Sequence, residues 1–151
     1  MTKLGYSAQD LDDETTARAI GRDLQISPKK AVELCRAIRG KSVEDAKAYL
    51  ERVIALKQPV PMHRYKSMVA HKHGVGPARY PVKVARHMLK VIQNAEENAG
   101  YKGLDVDTMR IRILVAHKGP TTKGQMPRAH GRSSPWNQES VHLEVVLEEV
   151  E

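Results

Sequence analysis

Aromatic residues are scarce in this chain, which has five Tyr, one Trp and no Phe among 151 residues. Its core must therefore be mostly aliphatic, and stacking of bases on aromatic side chains cannot be a major binding mode. Cysteine is nearly missing too. The single Cys35 excludes an intrachain disulfide and a cysteine-based zinc site. No apolar run approaches the roughly 20 residues of a membrane-spanning helix, and the first residues lack the apolar core of a signal peptide. A cytosolic, soluble protein without membrane insertion is expected. The length fits a single domain, residues 1–151.

The most informative scarcity is of acids, and it is local. The net charge is +7 and the pI about 9.6, but the average conceals the distribution. Residues 1–51 carry nine acids and nine Lys or Arg, so they are neutral. Residues 52–95 carry nine Lys or Arg and no acid. Residues 96–107 hold four acids against one Lys, and residues 108–138 carry six Lys or Arg and again no acid. Residues 139–151 carry five acids and no Lys or Arg. Ordinary surfaces intersperse the two signs, because mixing lowers self-repulsion. Two long acid-free stretches make physical sense when a polyanion supplies the missing negative charge, and RNA or DNA is the expected partner.

Hydrophobic periodicity organises the chain. The first 25 residues are polar and irregular, with one short strand expected near Leu4–Ser7. Ser27-Pro28 reads as a helix start, with Ser as N-cap and Pro at the first helical position. Ala31, Leu34, Cys35 and Ile38 follow at helical spacing, and Gly40 ends the element. Ser42 opens a second helix, in which Val43, Ala46, Leu50, Val53 and Ile54 form the apolar stripe. Glu44 and Asp45 face the positive end of its dipole, and Pro59 and Pro61 are expected to stop it. Residues 57–80 form a loop too long to be a plain connector. Pro81 starts a third helix, with Val82, Ala85, Met88, Leu89, Ile92, Ala95 and Ala99 on one face. Lys83, Arg86, His87 and Lys90 lie on the other, and Gly100 or Gly103 ends it.

From Thr108 the period becomes two. Met109, Ile111, Ile113 and Val115 point one way, and Arg110 and Arg112 the other. Val141, Leu143, Val145 and Leu147 repeat the pattern, with His142, Glu144 and Glu148 opposite. Two matched strands should pair antiparallel, with arginines of one facing glutamates of the other. The fold class expected is α+β: three helices packed on a small antiparallel sheet, with a long protruding β-hairpin over residues 108–149.

The segment between the strands, Lys118–Glu139, far exceeds the two to five residues usual for a hairpin loop. If the strands continue into it, the tip stands roughly 35 Å beyond the body at about 3.3 Å per residue. Only Met126, Ala129 and Trp136 are available to pack it, and an isolated two-stranded ribbon is marginal in water. Such an arm needs a partner to lie against, and its lysines, arginines and glycines suit a phosphate backbone.

Catalytic and metal chemistry find little support. His71-x-His73, with His63 and His87 nearby, lacks any carboxylate or thiolate within residues 52–95, and neighbouring lysines repel a cation. These histidines are read as solvated or RNA-facing. Gly74-x-Gly76 lacks the Gly-Lys-Ser/Thr of a phosphate-binding loop, so its glycines permit a tight turn or a close approach to a phosphate. Cys35 lies on an apolar helix face with no His on its helix and reads as core. The acids sit on helix starts and on the C-terminal strand rather than in a paired cleft. The chain is read as no enzyme, with no metal and no cofactor. On charge alone, Arg64, Lys66, Lys72, Arg79, Lys83, Arg86 and Lys90 are the RNA contacts expected of the body. A free-standing DNA- or RNA-binding regulatory protein is the alternative, and it would need a compact reader such as a recognition helix.

The arm carries a specific motif. Its run from Gly119 to Arg132, Gly-Pro-Thr-Thr-Lys-Gly-Gln-Met-Pro-Arg-Ala-His-Gly-Arg, resembles the hairpin of the large-subunit ribosomal protein twenty-two family. Ser27-Pro28-Lys29-Lys30-Ala31, Ile38-Arg39-Gly40-Lys41 and Asn94-Ala95-Glu96-Glu97-Asn98-Ala99 support it, and the likeness spans residues 4–149. Tyr6-Ser7, Gln58-Pro59-Val60-Pro61, Gly76–Pro81 and Lys102-Gly103-Leu104-Asp105 resemble the archaeal and eukaryotic branch. Gly124 stands where many bacterial members carry a basic residue.

This resemblance implies a cytoplasmic, structural component of the large ribosomal subunit. It implies binding of large-subunit rRNA, support of subunit assembly, and a hairpin tip that lines the polypeptide exit tunnel. Implied partners are neighbouring large-subunit ribosomal proteins, the nascent polypeptide at the tip, and targeting factors or the translocon near the tunnel exit. Carried over by motif, the tip is Lys123, Gly124, Gln125, Met126, Pro127, Arg128, Ala129, His130 and Arg132. Lys118, Lys123, Arg128, His130 and Arg132 complete the rRNA-binding set.

Overall fold

The computed structural model describes residues 5–8 and 11–149. Strand β1 spans Thr16–Leu24, helix α1 Pro28–Ile38 and helix α2 Val43–Ile54. Short strands β2 (Val60–Pro61), β3 (His71–Lys72) and β4 (Gly76–Arg79) follow, then helix α3 (Val82–Lys102). From Met109 on the chain is mostly strand: β5 (Met109–Thr122), β6 (Gln125–Pro127), β7 (Ser133–Pro135) and β8 (Gln138–Glu149), with a short 3-10 turn at Ala129–Gly131 between β6 and β7. The architecture is the expected α+β fold, with three helices, antiparallel sheets and a protruding hairpin.

The helices begin and end where local chemistry directs. Pro28 starts α1, and Gly40 takes the left-handed conformation after its end at φ 83°. The Ser42 hydroxyl accepts the Asp45 N–H at 3.2 Å, capping α2. Gly103, at φ 78°, ends α3. The buried faces follow most of the spacing: Ile54, Val82 and Leu89 are only half-buried, while Tyr49 of α2 and Val84 and Val91 of α3 are buried in addition.

The main sheet has the order β1-β8-β5, so the C-terminal strand is central. The β5–β8 pairing is antiparallel, setting Arg110 opposite Glu148, and Arg112 forms an ion pair with Glu148. The helices cover one face of the sheet over an aliphatic core that includes Leu34, Ile38, Leu50, Met88, Ile92, Ile111, Leu143 and Leu147.

Four expectations need correction. Gly5–Ser7 form no strand, and Leu4 lies outside the described residues. The N-terminal strand is β1 instead. Its inward residues are Ala17, Ala19 and Gly21, small because α3 lies close: a Cβ on Gly21 would stand 2.7 Å from Val91 Cγ2. Small residues give a weak hydrophobic signal, which is why the strand was hidden.

Second, the β5 alternation does not run straight through. Ile111 pairs with Leu147 but Ile113 with Val146, so Arg112 is an extra residue, a β-bulge. Leu114 is therefore buried, while Ile113 and Val115 turn to the other face. Third, His142 and Glu144 are buried rather than exposed. A central strand has no free edge, and the N-terminal segment crosses its outer face: the Glu144 carboxylate accepts the Ser7 N–H at 3.0 Å. Fourth, residues 57–80 contain the small sheet β2-β4-β3, whose β3–β4 turn has Gly74 and Gly76 at φ 73° and 85°.

Candidate nucleic-acid interface

A buried acid organises the acid-free loop. Glu33 on α1 is 2% exposed. Its carboxylate accepts the backbone N–H groups of His63 (3.1 Å), Arg64 (2.7 Å) and Tyr65 (2.8 Å). Burial pushes its pKa up, but the three N–H donors and nearby His63 outweigh burial, and the carboxyl titrates below its ordinary range. The loop is therefore pinned at its root to a helix rather than floating.

The pinned residues build a cationic groove. Lys29 Nζ and Arg64 Cζ stand 5.8 and 5.6 Å from the Tyr65 ring centroid. Arg79 donates from Nη2 to the Met68 carbonyl at 3.3 Å. Lys29, Lys30, Arg64, Tyr65, Ser67 and Arg79 line a groove of about 330 Å³ at the start of α1. The first turn of α1 holds no acid, so its N–H groups and these cations present positive potential together.

This groove is the first of three in series. Ser27 and Lys30 also line a second groove, which reaches Tyr80, Lys83 and, at the root of the arm, Asn137 and Glu139. Asn137 in turn borders a third, running along the arm past Lys123, Gln125, Ser133 and Pro135. Arg64, Arg79, Lys83 and Lys123 thus lie on one connected path. Arg86 and Lys90 follow Lys83 along the exposed side of α3. His87 between them has its pKa lowered, first by burial and then by Lys83 and Lys90. Lys72 sits 5.5 Å from the Tyr80 ring centroid, and Lys66 is exposed within the pinned loop. Lys118 differs from the rest, since Glu139 stands 3.6 Å away as an internal counter-charge.

The arm is a continuous ribbon rather than a loose loop. β5 and β8 stay paired as far as Thr122 and Gln138, and β6 and β7 continue to Pro127 and Ser133. Arg128 N–H donates to the Arg132 carbonyl at 2.8 Å and closes the tip. His130 and Gly131 take left-handed conformations at φ 60° and 66°, a turn that Gly accepts freely and His tolerates better than most residues. Arg128, Ala129, His130 and Arg132 are all exposed there.

Glycines let the two arms approach. A Cβ on Gly119 would overlap the Ser140 hydroxyl, which itself donates to the Pro120 carbonyl at 2.8 Å. A Cβ on Gly124 would stand 2.7 Å from the Trp136 carbonyl oxygen. Gly119 and Gly124 of the motif are thus required by close strand contact, and Gly131 by its left-handed turn. Comparison with known proteins agrees with this geometry. The family model described as ribosomal protein L22p/L17e matches residues 19–148. The chain belongs to this family.

Archaeal relatives in the family carry the name large ribosomal subunit protein uL22. That of Ignicoccus hospitalis is 51% identical over 144 residues, covering 91% of each chain. That of Methanopyrus kandleri is 48% identical over 145 residues, covering 93% of this chain and 91% of its own. That of Methanococcoides burtonii is 47% identical over 151 residues, covering 99% of each. The expected archaeal-type membership is met.

Residues missed by the sequence reading are Lys29, Lys30, Glu33 and Tyr65. One signal was available: two lysines in a helix's first turn, where anions are favoured, oppose the dipole and suggest an external anion. Among the described residues no three His, Cys, Asp or Glu are grouped to hold a metal ion, and no helix is long and apolar enough to cross a membrane.

Proposed function

We propose that this chain is a structural, non-catalytic constituent of the cytoplasmic large ribosomal subunit that binds large-subunit rRNA and supports subunit assembly. Residues 1–151 act as one domain, with 108–149 as its extended hairpin. The observation that carries the reading is the acid-free arm, held rigidly at its root by the central strand β8 and continued by a cationic path over the body. Arg64, Lys66, Lys72, Arg79, Lys83, Arg86 and Lys90 contact phosphates from the body. Lys123, Arg128, His130 and Arg132 do so from the arm, with Lys118 sharing its charge with Glu139.

The arm tip, Lys123–Arg132, lines the polypeptide exit tunnel and meets the nascent chain. Neighbouring large-subunit proteins pack against the body, and targeting factors or the translocon dock near it. Recognition is mainly of folded RNA shape and phosphate positions, because the side chains along the path are cations rather than base readers.

Binding to a large-subunit rRNA fragment should weaken steeply with salt, as displaced counterions require. Removing Lys83, Arg86 and Lys90 together should lower the log–log salt slope by up to about three. Co-sedimentation with large subunits in high salt tests the assembled state. A flat salt response would sink the electrostatic account, and failure to sediment would favour a free-standing regulator.

A further inference from the structure

The arm has two faces of different chemistry. Directly opposed residues of an antiparallel pair share a face. Gln125 pairs with Pro135 and Pro127 with Ser133, and the Ser133 hydroxyl donates to Gln125 Oε1 at 3.3 Å. Gln125, Ser133 and Pro135 border the groove along the arm together with Lys123, Gly124 and Asn137. Met126 pairs with Ser134 on the opposite face. Trp136, two residues beyond Ser134, continues that alternation, and its N–H donates to the Gly124 carbonyl at 2.7 Å.

Trp136 is the only tryptophan of the chain and is 55% exposed. The position across from it is Gly124, which has no side chain to cover the indole. A side chain there is excluded by the Trp136 carbonyl itself. Arg128 stands further along the same face, its Nε donating to the Ser134 hydroxyl at 2.9 Å. That bond leaves the terminal nitrogens of the guanidinium for another acceptor. Ser134 and Trp136 are two residues apart, about 7 Å along a strand.

We propose that Trp136 is a stacking platform for one unpaired base of RNA, with Arg128 holding a phosphate of the same or the adjacent nucleotide. The inference rests on the rRNA-binding reading and deepens it. An indole and a guanidinium carried on one face of the arm match a nucleotide, which offers a flat π-face and an anion a few ångströms apart. A nascent peptide of arbitrary sequence offers neither at a fixed spacing. The scarcity of aromatics excludes stacking as the general mode but leaves room for one such anchor on an otherwise electrostatic surface.

The lone tryptophan makes the test direct. The full chain is titrated at low salt with a mixed-sequence single-stranded oligoribonucleotide, and separately with inorganic polyphosphate, which carries charge but no bases. RNA should quench the Trp136 emission, and polyphosphate should bind without quenching. W136A should weaken RNA binding roughly tenfold and leave polyphosphate binding within about twofold, while W136F retains most of the RNA affinity. The side chain is exposed and its structural bond is a backbone one, so the variants keep the fold. Equal quenching by both polymers, or W136A binding RNA as the parent does, overturns the stacking site. Steep salt dependence with either result leaves the electrostatic reading standing, whereas no RNA binding overturns both. Unchanged RNA binding by W136A together with lost cross-linking to a nascent peptide on assembled subunits would assign this face to the peptide instead.

Discussion

The Arg64 backbone N–H meets the Glu33 carboxylate at 2.7 Å, so the root of a basic loop is held by an acid buried on helix α1. Two neighbouring N–H groups share that carboxylate. Glu33→Ala leaves all three donors without their partner and should cost about 2–4 kcal/mol in urea unfolding at pH 7. Because the carboxyl is held below its ordinary range, its contribution is full above the unfolded-state pKa and is lost as pH falls through the folded-state value. The parent should therefore lose stability on the acid side of about pH 4.3, and Glu33→Gln should lose less over the same interval. Equal acid sensitivity of parent and Glu33→Gln would show that other carboxylates dominate.

Close strand contact gives the motif glycines distinct roles. Gly119→Ala forces a methyl group into the Ser140 hydroxyl at the root of the arm and should cost about 1–3 kcal/mol. Adding Ser140→Ala removes the overlapping oxygen and should recover part of that loss, as a double-mutant cycle would report. Gly124→Ala meets a backbone carbonyl that no rotamer change can move. It lies in the exposed arm, so it should leave the global unfolding midpoint nearly unchanged while shifting arm amide resonances and weakening RNA binding. A global loss as large as that of Gly119→Ala would mean the arm folds as part of the body.

The sequence made the helices legible because their signals are local: Ser27-Pro28, Ser42 and Gly103 act within one turn. The β5–β8 hairpin was legible because both strands alternate strongly and stand adjacent in the chain. What stayed hidden depends on distant partners. β1 pairs with β8 across more than a hundred residues and presents only Ala and Gly to α3. The bulge at Arg112 shifts the alternation without any Gly or Pro to mark it. Glu33, Glu144 and His142 look like surface residues until the segments that cover them are in place. The cations of the path were legible from charge alone. The groove at α1 was not, because Lys29 and Lys30 lie in a stretch whose net charge is zero.

Without RNA, the arm should be the least protected part of the chain. Apart from Met126 and Trp136 it has little apolar surface, and its two strands are exposed on both sides. Hydrogen exchange on the isolated protein should find amides of residues 123–136 close to unprotected. Those of Val141–Leu147 and of the buried face of α3 should exchange only by global opening. Adding an rRNA fragment should protect the arm selectively. An arm already protected to the level of β8 in the free protein would contradict a partner-dependent ribbon and favour a self-sufficient reader.

Cys35 provides a probe that reports on the body alone. The side chain is 2% exposed, and burial pushes its thiol up to about 12, with Arg39 offsetting only part of the effect. The thiolate is the reactive form, so the native protein should resist iodoacetamide at pH 8 and become labelled at the rate at which the body opens. Raised folded-state pKa also fixes the sign of the pH effect. The contribution of this thiol is complete below its unfolded value near 8.5 and is lost as pH rises toward about 12. Cys35→Ala, which has no proton to hold, should show a shallower alkaline decline than the parent. Rapid labelling of the native protein, at a rate independent of urea, would place the thiol on an accessible surface and contradict its position between α1 and the sheet.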